Sequence, residues 1–203
     1  MHKVFHGDLP SDVEVVGDIA IDTETLGLNI KRDKLCLVQI ADSRGNIFLI
    51  KYDTKTYDSP NLVKLLTDTA RVKIFHYARF DVPVLMNALG IVKIYPIFCT
   101  KIASKLTRTY TDSHGLKTIC RELLSAELDK ESQCSNWSAP ILTEKQIKYA
   151  INDVLFLHRL RDVLTRMLKD FKREEIAHGY FEFMHTIATS ELSSFDPSLI
   201  ISH

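Results

Sequence analysis

The stretch Ile19-Ala20-Ile21-Asp22-Thr23-Glu24-Thr25 is an apolar run that ends in two acidic side chains. In an extended strand, residues two apart point to the same face, so Asp22 and Glu24 project together. The alternative is a plain strand end followed by a solvated turn, with Thr23 and Thr25 as β-forming residues. The stretch predicts a strand and a carboxylate pair, which needs partners elsewhere before it indicates a site.

Strand patterns surround this stretch in the first third of the chain, and helical patterns follow. Strands are expected at 14–22, 35–41 and 46–51, and the short turn between the last two predicts an antiparallel meander. Farther along, short strands are expected at 72–75 and 94–98, and helices at 62–70, 82–89, 100–106, 116–124, 143–169 and 173–190. Strands first and strand-helix alternation later predict an α/β fold with a mixed sheet and helices on both faces.

The composition favours one compact unit. The 203 residues, 45% of them hydrophobic, predict a single domain over residues 1–203. The 26 basic and 26 acidic side chains cancel, which excludes the global positive field of proteins that track long nucleic acids, so a nucleic-acid substrate is expected to be short. With no signal-peptide pattern and no run of 18 apolar residues, we expect a cytoplasmic protein without a membrane span.

A second acidic motif is the segment His76-Tyr77-Ala78-Arg79-Phe80-Asp81. It follows a predicted strand and leads into a predicted helix, which places Asp81 near the helix N-terminus. The alternative is a helix cap, since Asp followed two residues later by Pro83 is a common helix start. Capping and metal binding are compatible, so Asp81 is a candidate metal ligand under either interpretation.

A third motif, Tyr149-Ala150-Ile151-Asn152-Asp153, lies inside the long predicted helix. A spacing of four residues puts Tyr149 and Asp153 on one helix face, about one turn apart. The alternative for Asp153 is a solvated surface position. Because it lies beside the apolar stripe that includes Val154, a carboxylate there needs a partner or a cation.

If the four carboxylates of these motifs converge, electrostatics decides what else the site needs. Two carboxylates about 4 Å apart repel by about 4 kcal/mol at an effective dielectric near 20, so the cluster is stable only with cations. Ligands that are all carboxylate oxygens select hard ions, Mg²⁺ or Mn²⁺. Two such ions about 4 Å apart can clamp a phosphodiester and activate the attacking water, which the Tyr149 hydroxyl would orient.

These motifs, DTET, HYARFD and YAIND, resemble those of the DEDD exonucleases with the ribonuclease H-like fold, specifically the ribonuclease D group. The resemblance extends over nearly the whole chain. It implies a metal-dependent 3′-5′ exonuclease with the catalytic residues Asp22, Glu24, Asp81, Tyr149 and Asp153. A histidine subclass carries its histidine five residues before the last aspartate, where this chain has Lys148. The chain therefore resembles the tyrosine subclass.

Two departures from the group pattern resemble the bacterial nanoRNase C branch. Ser135-Asn136-Trp137-Ser138-Ala139-Pro140 is a relaxed version of SDW followed by RPL, and Cys99-Thr100 replaces Asp-Thr. With the stretch FCTKIASKLTRTYTDSHGLK and no C-terminal RNA-binding domain, they imply cleavage of dinucleotides and very short RNA by a homo-oligomer such as a ring-shaped octamer. The alternatives are the same chemistry on longer RNA or DNA, and a catalytically silent scaffold of the same fold.

Residues near the motifs are predicted to contact the substrate: Thr23, Leu28, His76, Arg79, Phe80, Ser135 and Trp137. Leu28 lies six positions after Asp22, where related oligoribonucleases place an apolar side chain between two bases; a core leucine is the alternative. The histidine, arginine and tryptophan have alternatives as a satisfied core histidine, a surface charge and a loop anchor. A basic patch of Lys101, Lys105, Arg108, Lys117 and Arg121 is a candidate for steering phosphates, with a solvated face as its alternative.

Overall fold

A computed structural model describes residues 2–128 and 135–201 of the chain. Its strands are β1 (His2–His6), β2 (Ile19–Thr25), β3 (Leu35–Asp42), β4 (Ile47–Lys51), β5 (Lys73–Phe75) and β6 (Ile97–Cys99). They form one sheet in the order β1-β4-β3-β2-β5-β6. β2, β3 and β4 pair antiparallel, whereas β1 pairs parallel with β4, and β5 and β6 continue parallel from β2. The predicted mixed sheet and antiparallel meander are confirmed.

Helices cover both faces of this sheet, as the sequence predicts. They are α1 (Pro60–Thr67), α2 (Ala78–Leu89), α3 (Thr100–Thr107), α4 (Leu116–Leu124), α5 (Glu144–Leu155), α6 (Leu157–Asp170), α7 (Glu174–Leu192) and α8 (Pro197–Ile201). One core cluster packs α1, α2 and α7 against the sheet, and a second packs α3, α4, α5 and α6 against the other face. The sheet is therefore a middle layer between two apolar cores.

Strand β2 lies inside the sheet, and its alternation sorts its side chains between the two faces. Ile19 and Ile21 are fully buried in the α2 core, whereas Ala20 is buried in the α5 core. Because the strand period is two, Asp22 continues the face of Ala20, and Thr23 continues the face of Ile21. The strand thus delivers its carboxylates to the α5 side of the sheet.

The predicted start of this strand was wrong. The structure begins β2 at Ile19 rather than at residue 14, because Gly17 adopts a left-handed conformation with a φ of 67°. Asp18, the next residue, is held in place by its side chain, because Asp18 Oδ1 accepts a hydrogen bond of 2.8 Å from the Val72 backbone N–H. A turn therefore separates the polar segment before Gly17 from the strand.

The edge strand β1 was not predicted. Its sequence His-Lys-Val-Phe-His has no apolar alternation, and Phe5 is its one residue that is not exposed. The strand forms because its backbone pairs in parallel with β4, from His2 opposite Ile47 to His6 opposite Lys51. Pairing with a partner distant in sequence is invisible to local patterns.

The long helix predicted over 143–169 is divided at Phe156 into α5 and α6. Its predicted capping box is present: the Thr143 hydroxyl accepts from the Gln146 N–H, and the Gln146 side chain accepts from the Thr143 N–H. The break was missed because the buried positions Val154 and Leu157 keep helical spacing across it. Within the described ranges, no helix is long and apolar enough to cross a membrane.

Candidate active site

Three carboxylates from two elements converge beside the end of β2. Oxygen atoms of Asp22, Glu24 and Asp153 all lie within 4.8 Å of one another. The strand alternation directs the first two to the α5 face, and the fully buried Ala150 and Val154 anchor α5 against the sheet so that Asp153 reaches them. Two motifs separated by more than a hundred residues thus form one acidic cluster.

Asp81 approaches this cluster from the other side of β2. It is in the first turn of α2 and is 3% exposed. The Thr23 hydroxyl donates a hydrogen bond of 2.7 Å to Asp81 Oδ1. The negative charge of Asp81 raises the pKa of both Asp22 and Asp153, so the fourth carboxylate is electrostatically part of the site.

Burial disfavours the ionised form of every carboxylate in the cluster, and the negative charge of neighbouring carboxylates adds to this effect at Asp22, Glu24 and Asp153. Burial is the first cause in each case, raising the pKa of Glu24 to about 9 and those of Asp81 and Asp153 to about 7. The pKa of Asp22 also rises well above its ordinary value, by burial and then by the charges of the other three. Without a compensating positive charge, the site favours bound protons.

A divalent cation fits this donor set. The ligand atoms offered are carboxylate oxygens, which suit hard cations such as Mg²⁺ and Mn²⁺. The raised pKa values of Glu24, Asp81 and Asp153 fit the same assignment, because a bound cation can replace the protons that these buried, closely spaced carboxylates otherwise hold. The cluster has the chemistry of a metal-binding site.

Tyr149 lies beside Asp153, one turn earlier on α5. A hydrogen bond from the Tyr149 side chain lowers the pKa of Asp153, although burial dominates. Burial and the charges of Asp153, Glu24 and Asp22 raise the pKa of the Tyr149 hydroxyl well above its ordinary value. The phenol therefore remains protonated at neutral pH and acts as a hydrogen-bond donor.

The cluster opens into a cavity of about 680 Å³. Six of the seven predicted substrate-binding residues line it: Thr23, Leu28, His76, Phe80, Ser135 and Trp137. Asp22, Glu24, Tyr149 and Asp153 line the same cavity. A volume of this size is typical of a small-molecule site.

Leu28 is not a core leucine, since 84% of it is exposed. Its loop is held close to the protein by Gly27, where a Cβ atom would lie 2.3 Å from an Asp33 carboxylate oxygen. The Thr25 hydroxyl donates to the Gly27 carbonyl at 2.5 Å. The loop thus presents an unpacked apolar side chain to the cavity.

His76 and Trp137 combine packing with a place in the cavity wall. His76 Nδ1 lies 2.9 Å from the Thr100 hydroxyl, and burial, with Lys101 second, lowers the pKa of His76 to about 3, so the ring is neutral. Trp137 is 3% exposed and its ring centroid lies 6.0 Å from that of Tyr149. Its indole N–H has no hydrogen-bond partner among the described residues.

Arg79 is the predicted substrate-binding residue that the structure places outside the cavity. Its guanidinium forms an ion pair of 2.8 Å with Glu191 on α7. In the predicted basic patch, Arg108 is wholly buried and paired with Glu122, so neither the predicted steering of phosphates nor its alternative, a solvated face, holds for this residue. Lys101 and Lys117 do line the cavity.

Gln39 is a site residue that the motifs did not indicate. It is fully buried on β3, directly opposite Asp22 in the antiparallel pairing, and its Nε2 lies 3.4 Å from Asp22 Oδ2. The sequence does contain a signal for a buried polar residue here, because Gln39 is a lone amide within the apolar run Leu35–Ile40. A buried amide needs a polar partner, but the sequence does not say which one.

The sequence profile of the 3′-5′ exonuclease family matches residues 6–169, most of the chain. The chain therefore belongs to the 3′-5′ exonuclease family. Ribonuclease D of Bartonella henselae is 31% identical over 160 residues, which are 79% of this chain and 38% of the relative. The chain spans less than half the length of the curated ribonuclease D relatives it matches.

One solved protein is similar over almost its whole length. Brucella melitensis NrnC is 46% identical with a TM-score of 0.94, over 100% of this chain and 98% of that one. The same protein is similar in a form bound to pGG, with a TM-score of 0.93, and in one with bound Mg²⁺, with 0.92. Escherichia coli RNase D is 25% identical with a TM-score of 0.74, over 84% of this chain and 44% of that one. The fold is that of the ribonuclease H-like DEDD exonucleases.

Proposed function

We propose that this chain is a cytoplasmic, divalent-metal-dependent 3′-5′ exoribonuclease that cleaves dinucleotides and very short oligoribonucleotides to 5′-mononucleotides. The observation that carries the proposal is one cavity of about 680 Å³ that holds Asp22, Glu24 and Asp153 together with the exposed Leu28. Full-length similarity to the Brucella protein, which has a pGG-bound form, supports it.

In this proposal Asp22, Glu24, Asp81 and Asp153 hold two cations, Mg²⁺ or Mn²⁺. The three carboxylates whose oxygens lie within 4.8 Å of one another would supply ligands, and Asp81 would add its carboxylate from the opposite side of β2. When bound, the cations lower the pKa of the attacking water and stabilise charge on the phosphate and the departing oxygen. The carboxylates fix the place where the scissile phosphate sits.

In this proposal Tyr149 orients the attacking water or the phosphate and does not act as a base. Its raised pKa keeps the hydroxyl protonated, and its hydrogen bond to Asp153 holds it against the acidic cluster. The phenol has one O–H, which donates to Asp153 in the metal-free site and would be free to donate to the attacking water or to a phosphate oxygen once Asp153 binds a cation; it cannot accept a proton from either. The proposed contribution is therefore positioning.

The cavity walls support recognition of a short substrate. Leu28 is exposed and free to pack against a base, and the rings of Phe80 and Trp137 line the same space. Lys101 lines the cavity with its ammonium 4.0 Å from the ring centre of Tyr77, in reach of an anionic group. The chain's formal net charge of +0 provides no global positive field of the kind that favours binding of longer strands.

A second candidate is the same chemistry on longer RNA or DNA. It is favoured by the similarity to ribonuclease D from Bartonella henselae and, at 34% identity over 156 residues, to DNA polymerase I of Aquifex aeolicus. A catalytically silent scaffold is disfavoured because Asp22, Glu24, Asp81, Tyr149 and Asp153 all keep their chemical groups.

A length series tests the proposal. Purified protein with Mn²⁺ or Mg²⁺ should convert 5′-labelled RNA of two to about ten nucleotides to mononucleotides, fastest for the shortest substrates. Asp22→Asn should abolish the activity, whereas a contaminating nuclease would survive that change. Rates that rise with length would favour the second candidate, and release of no mononucleotide from any substrate would exclude the enzymatic proposal.

We also propose that the chain forms a homo-oligomer, such as a ring-shaped octamer. Support comes from α7, where Ile176, Tyr180 and Phe183 are spaced along one helix face and are 53%, 50% and 37% exposed. Such a face is costly to leave in water. Light scattering of the purified protein should give a mass several times 23.2 kDa, and a monomer would contradict the proposal.

A further inference from the structure

Gln39 is a polar residue in a strand that is otherwise adapted to burial. All eight residues of β3 are buried, and Gln39 itself is 0% exposed. It faces the α5 side of the sheet, as Leu37 and Ala41 do. An amide taken from water into such a core costs free energy unless its groups are paired. Its pairing is therefore informative.

The Gln39 amide is directed at the acidic cluster. Nε2 lies 3.4 Å from Asp22 Oδ2, and a hydrogen bond from the same side chain lowers the pKa of Glu24 against the effect of burial. The two carboxylates lie on one face of β2, two residues apart, and the amide has two N–H groups. The Gln39 side chain thus donates hydrogen bonds to both carboxylates from the neighbouring strand β3.

The unpaired oxygen of the Gln39 amide indicates that the amide is held in one orientation. Gln39 Oε1 is buried and has no hydrogen-bond partner among the described residues. An unsatisfied buried acceptor is uncommon and costs free energy. Rotating the amide would direct this oxygen at Asp22 and Glu24, acceptor against acceptor, so the carboxylates fix the amide with its N–H groups towards them.

A neutral donor suits a cation site better than a charged one. A lysine or arginine in this place would neutralise the carboxylates and compete with a divalent ion. An amide restricts the orientation of Asp22 and Glu24 while leaving their negative charge for the metal. Hydrogen bonds to metal-ligating carboxylates from residues behind them typically affect metal affinity or activity by about 10–100-fold.

We propose that Gln39 is a positioning residue that holds the carboxylates of Asp22 and Glu24 in the arrangement that binds the divalent cation. The inference rests on the proposed function only in that the cluster binds metal. It assigns Gln39 no contact with the substrate, so its effect should appear in metal binding before any substrate is added.

Gln39→Met tests this role, because methionine has a similar length and volume but no N–H donor. Calorimetric titration with Mn²⁺ in the absence of RNA should show binding about 10–100-fold weaker than in the wild type. The Mn²⁺ concentration for half-maximal cleavage should rise in parallel, while kcat at saturating Mn²⁺ stays much closer to wild type. Ile40→Val is the matched control: it alters the same strand on its opposite face and should leave Mn²⁺ affinity unchanged.

Each result decides a different point. Wild-type Mn²⁺ affinity in Gln39→Met would overturn the inference alone, whereas a wild-type protein that binds no Mn²⁺ and cleaves nothing would overturn the proposed function. An equal loss of affinity in Ile40→Val would show that damage to the strand, and not the missing amide, is responsible. Should Gln39→Met fail to fold, Gln39→Asn keeps the amide but shortens its reach, and wild-type Mn²⁺ affinity there would overturn the inference.

Discussion

The Thr23 hydroxyl donates a hydrogen bond of 2.7 Å to Asp81 Oδ1, and this contact joins the first motif to the second across 58 residues of sequence. Thr23 is 6% exposed and Asp81 is 3% exposed, so water does not compete for the bond. Because Thr23 faces away from Asp22 and Glu24 on β2, the strand holds three acidic groups at once: two on one face and, through Thr23, a third from the other.

Thr23→Val should therefore weaken both stability and metal binding. Valine keeps the shape but leaves the buried Asp81 carboxylate without this donor, a loss of about 1–3 kcal/mol in the free energy of unfolding. The pKa of Asp81 should rise further, because the hydrogen bond that opposes its increase is removed. Chemical denaturation and Mn²⁺ titration measure the two effects. Thr67→Val, at an exposed helix end, is the control, and equal effects of both variants would refute the argument.

Tyr149→Phe should lower kcat by about 10²–10⁴-fold, the usual range for a positioned proton-donating or orienting group. The phenol ring and its contact with Trp137 are retained, so folding should change little. Mn²⁺ affinity should be nearly unchanged, since a protonated phenol is not a metal ligand. Single-turnover kinetics and calorimetry check these points, with the half-exposed Tyr180→Phe as a control. A variant with wild-type kcat would exclude the orienting role.

Leu28→Ala should affect substrate binding without affecting the fold. Leu28 is 84% exposed, so shortening it creates no internal cavity and should change the free energy of unfolding by less than about 0.5 kcal/mol. Loss of an aliphatic contact with a base, about 1–3 kcal/mol for burial of a leucine side chain, should raise KM for a dinucleotide by about 5–150-fold. Ile141→Ala, also 84% exposed but outside the cavity lining, is the control. An unchanged KM would show that Leu28 does not contact the substrate.

The first and third motifs could be recognised in the sequence because each depends on a local period. A strand repeat of two places Asp22 and Glu24 on one face, and a helix repeat of nearly four aligns Tyr149 with Asp153. The structure brings these elements together as that geometry requires. What local periods could not supply is the side of β2 from which Asp81 arrives, which depends on the packing of α2.

Long-range pairing explains the remaining errors. Arg79 was expected at the substrate, but its partner Glu191 lies 112 residues later, and nothing in the motif around Arg79 indicates that ion pair. Arg108 has the spacing of a surface charge, yet its guanidinium is covered and meets Glu122. Gln39 acquires its role from an antiparallel neighbour. In each case the deciding contact joins residues whose local patterns are independent.

Asp153→Asn should separate stability from activity. The substitution removes one charge from a crowded acidic cluster at nearly constant shape, so the metal-free protein should become more stable at pH 8. Each 1 kcal/mol of relief corresponds to a rise of about 2–4 °C in Tm for a chain of this size. Mn²⁺ binding should weaken strongly and cleavage should fall by at least about 10²-fold. A variant that cleaves RNA at the wild-type rate would remove Asp153 from the catalytic site.

In EDTA, the difference in stability between Asp153→Asn and the wild type should depend on pH with a definite sign. The pKa of Asp153 is raised from 3.8 to about 7 by burial first, so between these values the folded state holds a proton that the unfolded state has released. Stability that depends on this proton is complete below about pH 4 and is lost as the pH rises through about 7. The stability advantage of Asp153→Asn should therefore be small at pH 4, grow up to about pH 7 and then level off.

Bound metal should abolish this loss of stability at high pH. Divalent cations displace the protons held by the folded carboxylates, so the rise in Tm caused by saturating Mn²⁺ should increase with pH and level off once Asp81, Asp153 and then Glu24 ionise without metal, at about 7 to about 9. Thermal melts at fixed ionic strength, with EDTA or with Mn²⁺, measure both slopes. Equal pH slopes in the two conditions would mean that the cluster does not exchange protons for a cation. A fall in Tm with pH that appears in EDTA and is absent with Mn²⁺ would identify the four carboxylates, destabilising when alone, as groups that the fold retains for the metal.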